Sequence, residues 1–271
     1  MNPPGFETLV LQLEGGVLHL TLNRPQARNA LSLAMVADLD TAFDWIAANP
    51  AVRVVVLSGA GGHFCAGGDL KDMMSGGMQP VSPDEPDPIA LLSRRFGRLL
   101  HKAAALPAVL VTRCEGSVLA GGFGLVCVSD VALAHVDARF GVPETTRGLP
   151  PAQIAPFIVE RIGLTAARRL CLTGAMFDGR RARELGLIHE TFADAAAGDL
   201  ALQAVLTQVL GCAPQANRMT KAILLQAGKT DLEQVLDDAA EQFAAAVRGS
   251  EAPEGIAAYL QKRKPKWAGS V

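Results

Sequence analysis

The run TLVLQLEGGVLHLTLNRP, residues 8 to 25, alternates apolar and polar positions on both sides of Gly15-Gly16. A period of two interrupted by paired glycines predicts a β-hairpin, and Pro25 ends it. Residues 32 to 48 change the period: Leu33, Val36, Leu39, Phe43 and Ile46 recur at three- and four-residue spacing, with Ser32 before them and Pro50 beyond. That spacing predicts an amphipathic helix capped by Ser32. In VRVVVLSG, residues 52 to 59, alternation gives way to a continuous β-branched run, the pattern of a strand covered on both faces.

The same kind of unit returns downstream. PAVLVTR from 107 and DVALAHV from 130 flank a glycine-rich segment, so strand, turn and helix repeat along residues 8 to 190 and predict a layered α/β core. After about residue 196 the strand pattern stops, and alanine- and leucine-rich periodic segments lead to EGIAAYLQKRKPKW. The expected division is an α/β core over residues 1–196 and a helical docking or assembly unit over 197–271. Residues 72 to 90, DMMSGGMQPVSPDEPDPIA, sustain neither period and read as a long loop, a pocket rim or lid.

Composition narrows the function class. A chain of 271 residues can bury a large core, and its 25 basic and 27 acidic residues, net charge -2, are well mixed. That balance argues against a nucleic-acid surface covering the protein or a polybasic membrane anchor. Cys65, Cys114, Cys127, Cys171 and Cys212 show no C-x-x-C pairing, so reduced core thiols are expected rather than disulfides or a zinc site. MNPPGFETLV has no basic region followed by an apolar stretch, and no apolar run reaches the ~18 residues of a membrane span. A cytoplasmic protein without membrane or nucleic-acid partners is expected.

Two glycine clusters are the candidate chemistry. HFCAGGDL, 63 to 70, and EGSVLAGGFGL, 115 to 125, each follow a buried strand and open an apolar or acidic helical stretch. Such turns can present backbone N–H groups to an oxygen that carries negative charge. Neither matches G-x-G-x-x-G after the first strand, and G-x-x-x-x-G-K-[ST] is absent, so dinucleotide and P-loop readings are weak.

Five blocks in order carry a resemblance: NRPQARNAL (23–31), VVVLSGAGGHFCAGGDL (54–70), EGSVLAGGFGLVCVSDVALA (115–134), ARFGVPETTRGLPP (138–151) and DGRRARELGLIHE (178–190). Together they resemble the enoyl-CoA hydratase/isomerase (crotonase) superfamily. The resemblance implies a spiral of ββα units, a C-terminal helical trimerisation domain, and assembly as a homotrimer or dimer of trimers. It implies an acyl-CoA substrate, with no metal or redox cofactor, since coenzyme A is part of the substrate.

By position in those motifs, Ala66 and Gly121 supply the two N–H groups of an oxyanion hole for the thioester carbonyl. Gly68, Asp69 and Leu70 fall in the substrate-binding stretch. Of two glutamates that share acid/base work in many family hydratases, one falls on Glu144 and the other on Gly124, where it is missing. Glu144 is the candidate catalytic acid/base. The segments GGFGLVCVSD and TRGLPPAQIAPFIVERIG resemble more closely the bacterial hydratases of 3-branched glutaconyl-CoA thioesters, isohexenylglutaconyl-CoA and methylglutaconyl-CoA among them.

The expected activity is therefore a hydro-lyase adding water across C2=C3 of an enoyl-CoA. An enoyl-CoA isomerase and an acyl-CoA thioester hydrolase use the same hole, and a non-catalytic acyl-CoA or RNA binding module is the rival from another class. Arg24 reads either as a contact to the CoA nucleotide or as an exposed strand-end charge. Lys262, with Arg263, Lys264 and Lys266, reads as a contact to CoA phosphates or as solvated helix-end charge. His63 reads as a turn residue and Trp267 as a packing anchor. Met73, Met74 and Met78 are expected to help line the acyl pocket.

Overall fold

The computed structural model describes residues 3–69, 71–72 and 86–268. Leu70, Met73, Met74 and Met78 lie outside the described residues. The predicted hairpin forms from β1 (Leu9–Glu14) and β2 (Val17–Leu22), antiparallel with Glu14 opposite Val17. Gly15 and Gly16 have φ of 56° and 87°, the two left-handed positions that a tight two-residue hairpin needs. Helix α1 (Leu33–Ala48) starts where Ser32 Oγ accepts the Met35 N–H, and it buries Met35, Val36, Leu39, Ala42, Phe43 and Ile46. Leu33 departs from the expected face and is 39% exposed.

Next come β3 (Val54–Gly59), α2 (Pro88–Ala104), β4 (Val109–Cys114), β5 (Ser117–Leu119), α3 (Gly121–Cys127), β6 (Val131–His135), β7 (Arg139–Gly141) and α4 (Ala155–Thr173). They are followed by β8 (Met176–Phe177), α5 (Gly179–Glu184) and β9 (Glu190–Phe192). Among the described residues the strands form two sheets, of order β1-β2-β3-β4-β6-β9 and β5-β7-β8. Twice the chain sends one strand into each sheet before a helix closes the unit: β4, β5, α3 and then β6, β7, α4. This repetition is the ββα spiral that the resemblance implied.

Strand β3 shows why its sequence does not alternate. Val55 and Leu57 enter the main core with Leu18, Leu20, Leu39 and Phe43. Val54 and Val56 face the other way, against Val17, Val111 and the side chains of Leu206 and Leu210. The last two belong to α6 (Ala195–Gly211), so the expected boundary at 197 falls inside a helix that covers one face of the sheet. Beyond it, α7 (Pro214–Gln226), α8 (Leu232–Arg248) and α9 (Glu251–Leu260) carry Leu224, Leu236, Phe243, Val247, Ile256 and Tyr259, each more than half exposed. No single helix among the described residues is long and apolar enough to cross a membrane.

Two further expectations are refined. The 72–90 segment ends in helix rather than loop, because Asp87 accepts the Ile89 N–H at 2.7 Å and Pro88 opens α2. Cys65, Cys114 and Cys127 are buried free thiols as expected, whereas Cys171 is half-buried and Cys212 exposed.

A half-buried cation ties the helical region to the sheet. The Arg53 guanidinium, just before β3, donates to the carbonyls of Leu210, Cys212 and Trp267, each at 2.8 Å. Arg53→Ala is expected to lower folding stability by about 1.5–3 kcal/mol or more, the worth of one charged hydrogen bond. Urea denaturation that finds wild-type stability in this variant would contradict that role.

Candidate active site

Strand β3 leaves its sheet at Gly59 and returns as residues 64–69, which lie along the second glycine segment. The Phe64 N–H donates to Glu115 O at 2.8 Å, the Cys65 N–H to Ser117 O at 2.9 Å, and the Leu119 N–H to Cys65 O at 2.9 Å. Small residues permit this approach. Gly67 has φ 98°, and a Cβ there would sit 2.8 Å from the Ala120 Cβ; a Cβ on Gly122 would meet the Cys65 Cβ and carbonyl oxygen at 2.7 Å. Asn29, fully buried, pins the first block to the turn: its Nδ2 donates to Ala60 O at 2.9 Å and His63 O at 2.6 Å, and its Oδ1 accepts the Arg24 N–H. His63 is a turn residue, as expected, whose Nδ1 accepts the Ser117 N–H.

The backbone donors differ from the expectation at one position. The Ala66 N–H donates to Arg28 O at 3.0 Å and is therefore engaged inside the fold. Two residues on, Leu31 pairs in parallel with Gly68, its N–H bonding Gly67 O at 2.8 Å and its carbonyl accepting the Asp69 N–H at 3.0 Å. In that pairing the Gly68 N–H faces away from Leu31, and it has no hydrogen-bond partner among the described residues. The expected Ala66 donor is thus taken up inside the fold, and the free N–H of this turn is at Gly68 instead. Gly121, the other expected donor, is the first residue of α3, where N–H groups lack an intrahelical partner. Ala120, just before it, holds φ 49° and ψ −117°, a costly conformation for a residue with a Cβ, and so fixes the plane of the peptide that carries this N–H.

Glu144 reaches the same place through sheet pairing. Leu119 lies opposite Gly141, and the Ala120 N–H donates to Gly141 O at 3.0 Å, so the chain after β7 runs beside the second glycine turn. Glu144 opens a single 3-10 turn (Glu144–Arg147) there, half-buried. Its Oε2 is buried without a hydrogen-bond partner among the described residues. Burial raises the Glu144 pKa, outweighing its own backbone hydrogen bond and the Arg147 charge, which act to lower it. A desolvated carboxylate with a free oxygen is an able proton acceptor.

No second carboxylate can join it at position 124. A Cβ on Gly124 would lie 2.6 Å from Ile154 Cγ2 and 3.3 Å from Leu100 Cδ1, so apolar side chains fill that space. Cys65 is no nucleophile, since burial pushes its thiol up to about 12.

The remaining candidates divide. Arg24 and Asp69 form an ion pair at 3.0 Å beside the Gly68 turn. Burial acts to raise the Asp69 pKa, but hydrogen bonds from Arg24 and from the Lys71 and Asp72 backbone, with the Arg24 charge, bring it below the usual carboxylate range. Lys262 is exposed with φ 53°, and among the described residues nothing brings it to the glycine turns. Its segment is held through Trp267 by Arg53, before the start of β3, whereas the turn follows that strand's end. The Trp267 indole also donates to Gly211 O, the packing role expected of it.

A family model for enoyl-CoA hydratase/isomerase matches residues 12–270. The chain belongs to this family. Among solved structures, Pseudomonas aeruginosa AtuE is 54% identical with TM-score 0.92, covering 97% of this chain and 100% of that one. An enoyl-CoA hydratase/isomerase from Marinobacter aquaeolei is 49% identical with TM-score 0.93, over 97% and 99%. Curated relatives carry different activities in their names. The 2,3-dehydroadipyl-CoA hydratase of Escherichia coli is 30% identical, covering 96% of this chain and 98% of the relative. The peroxisomal Delta(3,5)-Delta(2,4)-dienoyl-CoA isomerase of Arabidopsis thaliana is 31% identical, over 99% of each.

Membership in the enoyl-CoA hydratase/isomerase family makes this chain an enzyme acting on enoyl-CoA thioesters. Its Glu144 carries a thermodynamic signature. A carboxyl whose pKa rises on folding favours the neutral form, so its stabilising contribution is complete below the ordinary carboxylate range and is lost as pH rises through the folded pKa. Glu144→Gln is therefore expected to melt above wild type at pH 7 to 8, with the difference closing towards pH 4. Calorimetry that finds the variant less stable at pH 8 would count against the buried, unsatisfied carboxylate.

Proposed function

We propose that this enzyme adds water across the C2=C3 bond of an enoyl-CoA thioester. The reading is carried by one observation: Glu144, whose Oε2 is buried without a hydrogen-bond partner among the described residues, follows the strand whose Gly141 pairs with Leu119 and Ala120, just before the Gly121 N–H, while Gly68 offers the other free N–H. The thioester carbonyl oxygen accepts both N–H donors. Glu144 takes a proton from water as its oxygen bonds to C3, electron density moves onto the carbonyl oxygen as an enolate, and the proton on Glu144 then passes to C2. Donors fixed in advance stabilise the enolate more than the ground-state carbonyl, and one such donor is typically worth ~2.7 to 4 kcal/mol. Every proton in this scheme moves on the chain's own carboxyl, so the reaction calls for no metal or redox cofactor.

The proposed substrate is a 3-branched glutaconyl-CoA such as isohexenylglutaconyl-CoA. Its support is the resemblance of the segments around Gly124 and Ile154 and the apolar surroundings that Leu31, Phe96, Leu100 and Ile154 give the two turns. A second reading, enoyl-CoA isomerase, draws on the single carboxylate, because moving a proton between C2 and C4 needs only one. Conjugated-thioester absorbance and free thiol separate the candidates over a panel of short, long and branched acyl-CoAs. Hydration removes conjugation, isomerisation creates it, and hydrolysis releases thiol.

Glu144→Gln is expected to cut turnover by ~10²- to 10⁴-fold with acyl-CoA binding retained. Because the raised pKa belongs to the base, wild-type activity should fall on acidification at a pH above the ordinary carboxylate range. A variant that hydrates its best substrate within a few-fold of wild type would remove Glu144 from the mechanism.

The exposed apolar face of α7–α9 is proposed to be covered by further copies of the chain, in a homotrimer or a dimer of trimers. In that assembly Lys262 serves the CoA phosphates of a neighbouring subunit. Light scattering is expected to report a trimer or hexamer; an active monomer contradicts it.

A further inference from the structure

The Arg24–Asp69 pair does more than neutralise two charges. The Arg24 guanidinium spans the parallel pairing that orients Gly68: Nη1 donates to Ala30 O at 2.6 Å, on the Leu31 side, and Nη2 donates to Asp69 Oδ2 at 3.0 Å, on the Gly68 side. Ala30 precedes Leu31 and Asp69 follows Gly68, so one planar cation clamps both segments at the point where Leu31 bonds Gly67 and Asp69. The Arg24 backbone is itself fixed, its N–H held by the buried Asn29 side chain and its carbonyl accepting the Asn29 N–H at 2.9 Å. Asp69 and Arg24 side chains are only 16% and 21% exposed, so the pair is sheltered from the screening that weakens surface ion pairs. Further along, Asp72 accepts the Leu33 N–H at 2.9 Å and joins the same segment to the start of α1.

We propose that Arg24 and Asp69 are positioning residues that hold the Gly68 N–H in the direction of the thioester oxygen, and that Arg24 is not a contact to the CoA nucleotide. This rests on the oxyanion reading of Gly68 and Gly121. Each Nη group of Arg24 already donates within the fold, to Ala30 O and to Asp69 Oδ2, so its charge is paired and its fork is directed at the Gly68 pairing rather than outward. With the clamp removed, the side-chain bridge across the Leu31–Gly68 pairing is lost and its two backbone hydrogen bonds remain, and a misplacement of about 1 Å can cost on the order of 10²-fold in rate.

The test uses Arg24→Gln, Asp69→Asn and the double variant in the full-length enzyme, with Arg24→Lys as a milder form that keeps the cation but loses the planar fork. Three readouts apply: kcat and KM on the best enoyl-CoA substrate, the Kd of free CoA, and the absorbance shift of bound 4-dimethylaminocinnamoyl-CoA, measured in a Glu144→Gln background. A thioester carbonyl polarised by two N–H donors shifts that chromophore to the red. The expected result is a fall in kcat of about 10- to 100-fold with KM and free-CoA affinity within a few-fold, a smaller red shift, and a double variant no worse than either single one. Arg24→Lys should fall between. A red-shifted parent whose variants keep its full shift and kcat overturns the positioning role alone. Loss of free-CoA binding in Arg24→Gln but not in Asp69→Asn overturns it in favour of a nucleotide contact. A parent that gives no red shift overturns the oxyanion reading itself, and this proposal with it.

Discussion

The close approach of two backbone turns is the constraint from which the site follows. Residues 64–68 and 117–122 touch through main-chain hydrogen bonds, and side chains are excluded from the contact at Gly67 and Gly122. The Ala120 Cβ occupies the room that a Cβ on Gly67 would take, so the two turns fit only as a pair. Strained backbone at Ala120 is held by that contact and by the bond to Gly141 O, and its cost is borne by the large buried core beneath. Preorganisation of this kind is what lets N–H dipoles act on a developing oxyanion without rearranging during the reaction.

The acid/base side of the site is governed by desolvation rather than by a partner charge. Glu144 is brought to the turns by the β5–β7 pairing and left with one oxygen unsatisfied, while Ile154 and Leu100 take the volume next to Gly124. An apolar wall in that place leaves no room for a carboxylate at position 124, so under the proposed hydration Glu144 serves both proton transfers. It also keeps that carboxylate a stronger base than an exposed glutamate. Activity and stability therefore pull in opposite directions at a single residue.

Much of this was legible in the sequence where local chemistry decides the structure. The Gly15-Gly16 hairpin, the Ser32-capped helix and the two-sided β3 strand follow from period, capping and turn residues, and the ordered glycine blocks led to the family. Positions decided by long-range partners were not legible. Ala66 and Gly68 look equally fit to donate in the string HFCAGGDL, and only the carbonyl of Arg28 and the pairing with Leu31 separate them. Arg24 found its carboxylate 45 residues away, beyond any local pattern. Helix α6 carries no strand signal, yet its Leu206 and Leu210 complete the sheet's second face, which sequence period alone assigned to a separate helical unit.

The central claim is that the thioester oxygen sits between the Gly68 and Gly121 N–H groups with Glu144 facing the reacting carbons. A crystal structure with bound acetoacetyl-CoA, whose enolate resembles the intermediate, tests it directly. The account predicts the thioester oxygen within about 2.7–3.1 Å of both glycine nitrogens and a Glu144 carboxylate oxygen on the C2–C3 side. A thioester oxygen held by the Ala66 nitrogen, or by neither glycine, would contradict it.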